Sequence, residues 1–529
     1  MRCIFALLIA VASTAQAATL RVGAAGDGRS FRSLGEALQV LEPGDELVIG
    51  AGVYRESLLL PSRDWSQAPT VIRGERAEGV VITGSDAVTG WEPLGGGVYV
   101  KRGWRANSQQ VFVDGVPLQQ IGGNILGGFP ERPDHPMKKL HATQGGIWPG
   151  RVPGGREQLV DGSFYYDAAQ ESLYIKVKLA SLEGRLVEAS VRPYLIYGKG
   201  VKRITLRDLQ LRHSNTTAQN QNGAVTLLGD DLTLERIAVT NADGNGFDLT
   251  GDRIRVSASS ANYCGQVGMK VRGRGNRIAD SVTNYNNTRG FNKWWEAGGA
   301  KFVGDGGLKD SEIVNHRAIG NRGDGLWFDW LNDNNQVHHS VVAYNSGFGI
   351  HYEASSRARV HDNYVFANGQ RGIYLPNSPE SVVAHNLVAQ NGMEGIVVLN
   401  ERKPTRPEIT AHAARVVGNV LAWNSRASVV LPVESDDSAS DYNVFLHEAE
   451  PPSFSRGWGS RDKPVLKGLN DWSSASGQDT HSRSERVSPP AALQKALQAK
   501  DLAPDWSPVL SGAERLGVRV DGVSAGPAP

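Results

Sequence analysis

Short apolar strands that open on a glycine recur through the middle of the chain. The strand-opening glycines between about residues 194 and 424 are spaced by 22, 31, 26, 24, 23 and 23 residues. They are Gly246, Gly268, Gly299, Gly325, Gly349, Gly372 and Gly395. The first and third residues after each glycine are apolar and point to a core, whereas the second and fourth point outward. This alternation, repeated at the spacing of one solenoid coil, predicts an all-β fold, a right-handed parallel β-helix.

A ladder of identical residues supports the same register. Asn321, Asn345, Asn368 and Asn391 recur at intervals of 24, 23 and 23 residues. Stacked asparagine side chains can hydrogen-bond one another along a solenoid, and they tolerate the tight corners of its turns. We interpret these asparagines as structural, because they recur on consecutive coils, whereas catalytic residues are not expected to repeat from coil to coil.

Changes in pattern divide the chain into five segments. The N-terminus has the basic, apolar and small-residue regions of a secretory signal. Ser33 and Glu36 have the spacing of a capping box, which predicts a helix over the first coil. The predicted segments are 1–17, a signal peptide; 18–106, a cap helix and the first coils; 107–193, an inserted module; 194–445, the main β-helix; and 446–529, a C-terminal cover and disordered tail.

The inserted module is predicted from runs of alternating residues separated by polar turns. Such runs occur at residues 110–115, 163–167 and 172–177. They are typical of antiparallel hairpins, not of the coils of a solenoid. The sequence therefore predicts an antiparallel β-sandwich-like module within the β-helix.

Composition and charge exclude several classes of partner. The 529 residues include 62 glycines and are 40% hydrophobic, which favours many short strands. The formal net charge is +1, with 56 basic and 55 acidic residues, so no nucleic-acid or anionic-membrane surface is expected. The signal segment predicts a periplasmic or secreted protein, and no later segment has the roughly 20 apolar residues of a membrane span. Cys264 is expected to be a buried structural thiol. The sequence leaves the oligomeric state undetermined.

Two outward rows hold the candidate chemistry. The second-position row is Asp248, Lys270, Lys301, Trp327, His351 and Tyr374. In the fourth-position row, Asp329 and Glu353 lie one coil apart, and adjacent coils stack at about 4.8 Å. Carboxyl groups roughly 5–5.5 Å apart suit a retaining glycosidase, and their mutual repulsion raises one of the two pKa values. We predict that Asp329 and Glu353 are the catalytic pair.

Aromatic and charged neighbours complete the predicted site. A long turn before Gly299 carries two tryptophans and an acid, and we expect it to form the wall of a sugar subsite. The predicted substrate-binding residues are Trp327, His351, Glu296, Trp294, Trp295, Trp330, Lys301 and Tyr374. The pattern contains no cofactor motif and no dense aspartate cluster for calcium, so neither a cofactor nor a metal is predicted.

Several stretches resemble those of bacterial parallel β-helix glycoside hydrolases. Val71–Gly74 and Phe112–Gly115 look like their N-terminal half. Trp327–Trp330 and Ile350–Glu353 resemble the catalytic stretch of glycoside hydrolase family 120, retaining β-xylosidases with a sandwich inserted in a pectin-lyase-like solenoid. The resemblance implies an oligo- or polysaccharide substrate, with Asp329 as nucleophile and Glu353 as acid and base.

Two other functions fit the same pattern. A polysaccharide lyase or uronate C5-epimerase needs a base beside a sugar carboxyl group and a cation to neutralise that group. Lys270, Lys301, Arg272 and His351 are candidates for these tasks. A non-catalytic carbohydrate-binding solenoid would keep the aromatic residues but would not need the stacked acids.

Overall fold

The structure, a computed structural model, is a right-handed parallel β-helix that carries an inserted antiparallel module, as the sequence predicts. It describes residues 17–23, 27–128, 150–218, 222–304, 306–401, 409–433, 435, 437–457 and 465–521. The predicted signal peptide, except for Ala17, and the tail beyond residue 521 lie outside this range.

Each coil of the helix contributes to three faces. The front sheet carries the candidate site, and its parallel strands are Leu58–Leu59, Ile196–Lys202, Gly223–Asp230, Asn245–Thr250, Val267–Arg274, Gly298–Phe302, Asp324–Asp329, Ile350–Glu353, Ile373–Pro376, Ile396–Leu399, Val429–Leu431 and Ser453–Arg456. Two short strands pair with this series, Leu308–Lys309 and Leu466–Lys467.

The other two faces are continuous in the early coils and separate later. The early strands are Thr19–Val22, Arg29–Phe31, Glu46–Ile49, Gly52–Tyr54, Thr70–Gly74, Val80–Thr83, Ile204–Arg212 and Thr233–Thr240. The second face continues with Arg255–Ser257, Arg277–Ala279, Glu312–Val314, Gln336–His338, Arg359–His361, Val382–Ala384, Arg415–Val417 and Ala439–Asp441. The third face continues with Ser260–Asn262, Arg317–Ile319, Val341–Ala343, Tyr364–Phe366, Leu387–Ala389, Val420–Ala422, Val444–His447 and Arg483–Arg486.

The interior is filled by the inward row of each face. Phe302 stacks on Phe328 with ring centroids 4.4 Å apart, and Phe328 packs on Tyr352 at 4.9 Å. All three side chains are fully buried. Because the coils are in register, each inward residue meets its equivalent on the next coil, which gives a continuous apolar column.

The predicted asparagine ladder is confirmed and forms one corner of the helix. Asn321 Nδ2 donates to Asn345 Oδ1 over 2.8 Å, Asn345 to Asn368 over 2.9 Å, and Asn368 to Asn391 over 3.0 Å. The ladder extends to Asn286 at its start. Each amide also bonds a backbone group of a neighbouring coil, so the corner has few unsatisfied polar atoms.

The inserted module consists of two small sheets around its own core. The five-stranded sheet contains Glu92–Gly95, Val98–Arg102, Gln119–Gln120, Ser163–Asp167 and Ser172–Lys176, and the four-stranded sheet contains Ser85–Ala87, Val111–Val113, Val116–Pro117 and Val187–Ser190. Most of the pairings are antiparallel. The module thus includes residues 85–106, which the sequence analysis placed with the first coils. A short run of alternating residues bounded by glycines looks the same in a coil and in a hairpin, and only its pairing partner distinguishes them.

Helices cover both ends and one side of the solenoid. Helix α1 (Leu34–Val40) begins at the predicted capping box, where Glu36 N–H donates to Ser33 Oγ over 3.1 Å. Helix α2 (Leu469–Ser476) places Trp472 against Phe454 of the last front-sheet strand. Two further helices follow, α3 (Ala491–Gln498) and α4 (Ser507–Arg515), and a 3-10 turn spans Arg156–Gln158. None of the described helices is long and apolar enough to cross a membrane.

Candidate active site

The front sheet places the two candidate carboxylates on neighbouring coils. Asp329 pairs with Glu353 across the strands Asp324–Asp329 and Ile350–Glu353. The second-position row follows the same register, because Lys301 pairs with Trp327 and Trp327 with His351. Adjacent strands are separated by about 4.8 Å, so the two acids lie one coil apart on one outer face.

Glycines at the corner allow these strands to stack so closely. A Cβ atom added at Gly325 would lie 2.3 Å from Val342 Cγ1, and one added at Gly349 would lie 2.5 Å from Val365 Cγ1. Any larger residue would push the corner away from the column of valines behind it. The strand-opening glycines of the repeat are therefore required by close packing and not by an unusual backbone angle.

The surroundings of Glu353 favour its neutral form. Its side chain is 34% exposed, and burial raises the pKa of the carboxyl, with the Asp329 carboxylate adding to the rise. His351, Lys301 and the indole of Trp327 oppose this effect. Trp327 Nε1–H donates to Glu353 Oε2 over 3.2 Å, which fixes the orientation of the carboxyl group.

Asp329 has a lysine as its direct partner, whereas no lysine or arginine among the described residues forms an ion pair with Glu353. Lys301 Nζ lies 3.0 Å from Asp329 Oδ2 and 3.4 Å from the ring centroid of Trp327. The same ammonium group donates to the backbone carbonyl of Trp295. Three contacts thus hold the Lys301 ammonium group beside Asp329.

His351 is held rigidly between aromatic rings. It stacks on Trp327 with centroids 5.2 Å apart and on Tyr374 at 5.0 Å. Its Nδ1 lies 2.9 Å from Asp324 Oδ2, while Asp324 Oδ1 accepts the backbone N–H of Phe348. The second ring nitrogen, Nε2, is 3.6 Å from Glu353 Oε2. The imidazole of His351 therefore lies between two acidic side chains, Asp324 at Nδ1 and Glu353 at Nε2.

The long turn contributes both a buried ion pair and an exposed ring. Glu296 is buried and accepts from Lys270 Nζ over 2.9 Å. Trp294 is 47% exposed and packs against Phe348 with centroids 5.8 Å apart, whereas Trp295 is half-buried. Trp294 can therefore offer a sugar a ring face, and Glu296 anchors the turn through Lys270.

A buried charge network borders the site on its N-terminal side. Asp248 Oδ1 accepts from Arg272 Nη2 over 2.7 Å, and Asp248 Oδ2 lies 4.0 Å from Lys270 Nζ. Burial raises the pKa of Asp248 to about 6, opposed by the two cations. Lys270 and Arg272, which were weighed as bases or cations of a lyase, are thus committed to acidic side chains in this structure.

The structure brings most of the predicted site residues together. Asp329, Glu353, Trp327, His351 and Lys301 form one contact network, and Tyr374 extends it by stacking. Trp330 follows Asp329 directly, with 43% of its surface exposed and a left-handed backbone at φ 63°. The roles of all these residues in catalysis and binding stay predictions.

The sequence analysis missed Asp324, Phe348 and Arg371. The Arg371 guanidinium lies 4.4 Å from the Tyr374 ring centroid and 5.2 Å from that of Phe348. An acid directly before a strand-opening glycine, as at Asp324, was a signal that could have been noticed. Among the described residues, no group of three or more His, Cys, Asp or Glu side chains is arranged to hold a metal ion.

Comparisons with known proteins support the fold. A family described as a right handed beta helix region matches residues 293–431. A structure of XylC in complex with xylose aligns at 16% identity over 82% of this chain and 84% of that chain, with a TM-score of 0.57. A protein described as a glycoside hydrolase aligns at 13% identity over 81% and 96% of the two chains, with a TM-score of 0.49.

A further solved structure aligns with the chain at lower structural similarity. The A-module of the Azotobacter vinelandii mannuronan C-5 epimerase AlgE6 aligns at 11% identity over 84% of this chain and 91% of that chain, with a TM-score of 0.41. No curated protein matches the sequence. At these identities the likeness to XylC demonstrates a shared fold alone, and the other two structures are too distant to add to it.

Proposed function

We propose that the protein is an exported, retaining glycoside hydrolase that acts on an oligo- or polysaccharide. The observation that carries the proposal is the pairing of Asp329 with Glu353 on adjacent coils in contrasting surroundings. One carboxylate is ion-paired with Lys301, and the other has a pKa raised by burial. Two carboxyl groups in environments that separate their protonation states are the requirement of acid and nucleophile catalysis at one sugar.

In the first step, Asp329 attacks the anomeric carbon while Glu353 protonates the oxygen of the departing sugar. The bond from the anomeric carbon to that oxygen breaks, and an ester between the sugar and Asp329 forms. Lys301 holds the nucleophile in position through its contact with Asp329 Oδ2. The raised pKa of Glu353 keeps the required proton available closer to neutral pH.

In the second step, Glu353 acts as a base. It accepts a proton from water, whose oxygen attacks the anomeric carbon and releases the Asp329 carboxylate. The anomeric configuration is inverted twice and therefore retained. His351 favours the carboxylate form of Glu353 that this step requires, and the Asp324 carboxylate fixes the ring of His351 in position.

Similarity to known proteins agrees with the proposal at a coarse level. XylC, which shares the fold, is described in complex with xylose. The stretches Trp327–Trp330 and Ile350–Glu353 resemble family 120 β-xylosidases. A β-linked xyloside is accordingly the first substrate to test, and export follows from the predicted signal segment.

The test follows both products of cleavage at once. The protein is incubated with xylo-oligosaccharides, other neutral oligosaccharides and oligogalacturonates, and reducing ends are measured together with ultraviolet absorbance from unsaturated uronate. We expect reducing ends without absorbance. Formation of unsaturated product would show that the protein is a polysaccharide lyase and not a hydrolase. Binding without any product would favour a non-catalytic carbohydrate-binding solenoid.

Variants of the two acids test their individual roles. Asp329→Ala and Glu353→Ala should each lower the rate by at least about 10³-fold, because each removes a group that acts in the transition state. Added azide should restore activity to Glu353→Ala with formation of a glycosyl azide of retained configuration. Glu380→Gln, at an exposed position on another face, is the control. Full activity in either alanine variant would show that the assignment of the site is wrong.

A further inference from the structure

A second cavity lies between the inserted module and the turns that lead into the front sheet. Its volume is about 560 Å³, which is large enough for one or two sugar rings. The module contributes Gln109 and Gln120, and the β-helix contributes Asp243, Tyr263, Arg289 and Arg322. Clefts between two structural units are common positions for ligand sites.

The floor of this cavity is built around Arg289. Its Nη2 donates to Gln120 Oε1 over 2.7 Å and to Gln109 Oε1 over 3.2 Å, and its Nη1 donates to the Gln109 carbonyl over 3.3 Å. Arg289 Nε lies 3.4 Å from Asp243 Oδ1. The arginine thus joins the module to the β-helix and sets the position of the polar groups that line the floor.

Asp243 is an acceptor that the described part of the protein does not satisfy. The side chain is 1% exposed, and neither carboxyl oxygen receives a hydrogen bond from a described residue. Leaving such a group without a hydrogen bond is unfavourable. A ligand for this cavity should therefore supply hydrogen-bond donors, which a hydroxyl group does and a carboxylate does not.

The rim supplies an aromatic surface and a guanidinium group. Tyr263 is 48% exposed and is supported from behind by Tyr285, with ring centroids 5.2 Å apart and planes 16° apart. Arg322 is exposed, and its guanidinium makes no hydrogen bond or ion pair with the described residues. The aromatic ring can pack on the C–H face of a sugar ring, and the hydrogen-bond donors and acceptors beside it can bind the sugar's hydroxyl groups.

We propose that this cavity is a second saccharide site that binds a neutral sugar unit away from the Asp329–Glu353 pair. The inference rests on the proposed function in that both assume a saccharide substrate. The turn that lines the cavity at Arg289 continues to Trp294 and Glu296 at the catalytic face, so the two sites border the same turn. An acidic sugar is disfavoured because its carboxylate would lie beside the buried carboxyl group of Asp243, which can offer it no hydrogen bond when ionised.

Binding is measured by isothermal titration calorimetry with xylohexaose and cellohexaose as neutral probes and with hexagalacturonate as the acidic probe. All proteins carry Asp329→Asn so that no probe is turned over. Tyr263→Ala and Arg322→Ala should each weaken the binding of a neutral probe about 5- to 20-fold, since loss of a stacking ring or a bidentate donor costs about 1–2 kcal/mol. Tyr263→Phe should retain most of the affinity.

The matched control is Tyr442→Ala. Tyr442 is also exposed, at 54%, and stacks on His481 with centroids 4.9 Å apart, but it does not line the cavity. Unchanged affinity for both neutral probes in Tyr263→Ala and Arg322→Ala would overturn the inference, as would binding of hexagalacturonate alone. The proposed function is judged separately by hydrolysis of a small aryl xyloside with Asp329 intact, for which the rates of both cavity variants should equal that of the unmodified protein.

Discussion

Replacing Trp327 by phenylalanine should raise the pKa of Glu353 and move the basic limb of the activity profile to higher pH. The indole donates to Glu353 Oε2 over 3.2 Å and thereby favours the ionised carboxyl. Phenylalanine keeps a ring between Lys301 and His351 but has no N–H group. Glu353 acts first as an acid, so activity is lost as the pH rises through its pKa, and a higher pKa moves that loss upward.

The size of the shift follows from the strength of one hydrogen bond. A bond to a charged group contributes about 1.5–3 kcal/mol, and one pKa unit corresponds to about 1.4 kcal/mol. The Glu353 side chain is 34% exposed, so water replaces part of the lost interaction. We therefore expect the pKa to rise by about 0.5–1 unit, which is less than the full bond would give.

Two measurements can detect this change. The dependence of kcat/KM on pH reports the pKa of the free enzyme, and carbon NMR of labelled glutamate, assigned with Glu353→Gln, reports the same group without a substrate. Trp423→Phe is the control, because it removes an indole that donates to the Val487 carbonyl far from the site. A basic limb that stays in place or moves to lower pH in Trp327→Phe would refute the assignment of Glu353 as the acid.

Three further predictions concern positioning and stability. Asn345→Ala should lower the free energy of unfolding by about 3 kcal/mol in chemical denaturation, because buried groups bonded by its amide lose their partner, whereas Asn334→Ala, at a half-buried turn position, should lower it by less. Phe328→Ala should cost about 3–5 kcal/mol in the same assay by opening the aromatic column, and a loss below about 1 kcal/mol would contradict the packing. Asp324→Asn should lower kcat about 10-fold with little change in KM, since it weakens the hold on His351 without touching the sugar; a change in KM alone would assign it to binding.

The rows of the front sheet could be predicted from the sequence because two regular spacings, the alternation along a strand and the length of a coil, together determine which side chains are neighbours. A strand alternates with a period of two, and a coil returns after 22–24 residues, so any pair of outward residues separated by one coil must be neighbours. The pairs Trp327–His351 and Asp329–Glu353 follow from this rule alone. The long turn before Gly299 does not change this result, because the positions on each coil are counted from the glycine that opens its strand.

Interactions across a turn could not be predicted in the same way. The contact of Lys301 with the Trp295 carbonyl and the burial of Glu296 against Lys270 depend on how the turn folds back, which no repeat specifies. The path of the last two helices could not be predicted either. Helices α3 and α4 pack along the outside of the third face, where Trp506 meets Phe366, whereas α2 lies against the last coil through Trp472.

The strands of the third face carry a sequence pattern that indicates this packing. In Val341–Ala343 and Leu387–Ala389 every residue is apolar, whereas a strand exposed on one side alternates. Three consecutive apolar residues in repeated strands indicate that both faces are covered. The helices that cover them, however, lie about 100 to 170 residues further along the chain and have no repeat of their own.

Stacking in register explains why a catalytic pair must interrupt the repeat around it. Identical neighbours stabilise the asparagine corner, because every amide is both a donor and an acceptor, but like carboxylates one coil apart repel. Here the Lys301 ammonium lies against Asp329, whereas burial raises the pKa of Glu353. The two acids therefore differ in their surroundings although they occupy equivalent positions on neighbouring coils. Under the proposed mechanism, this difference is what a stack of identical coils would not supply.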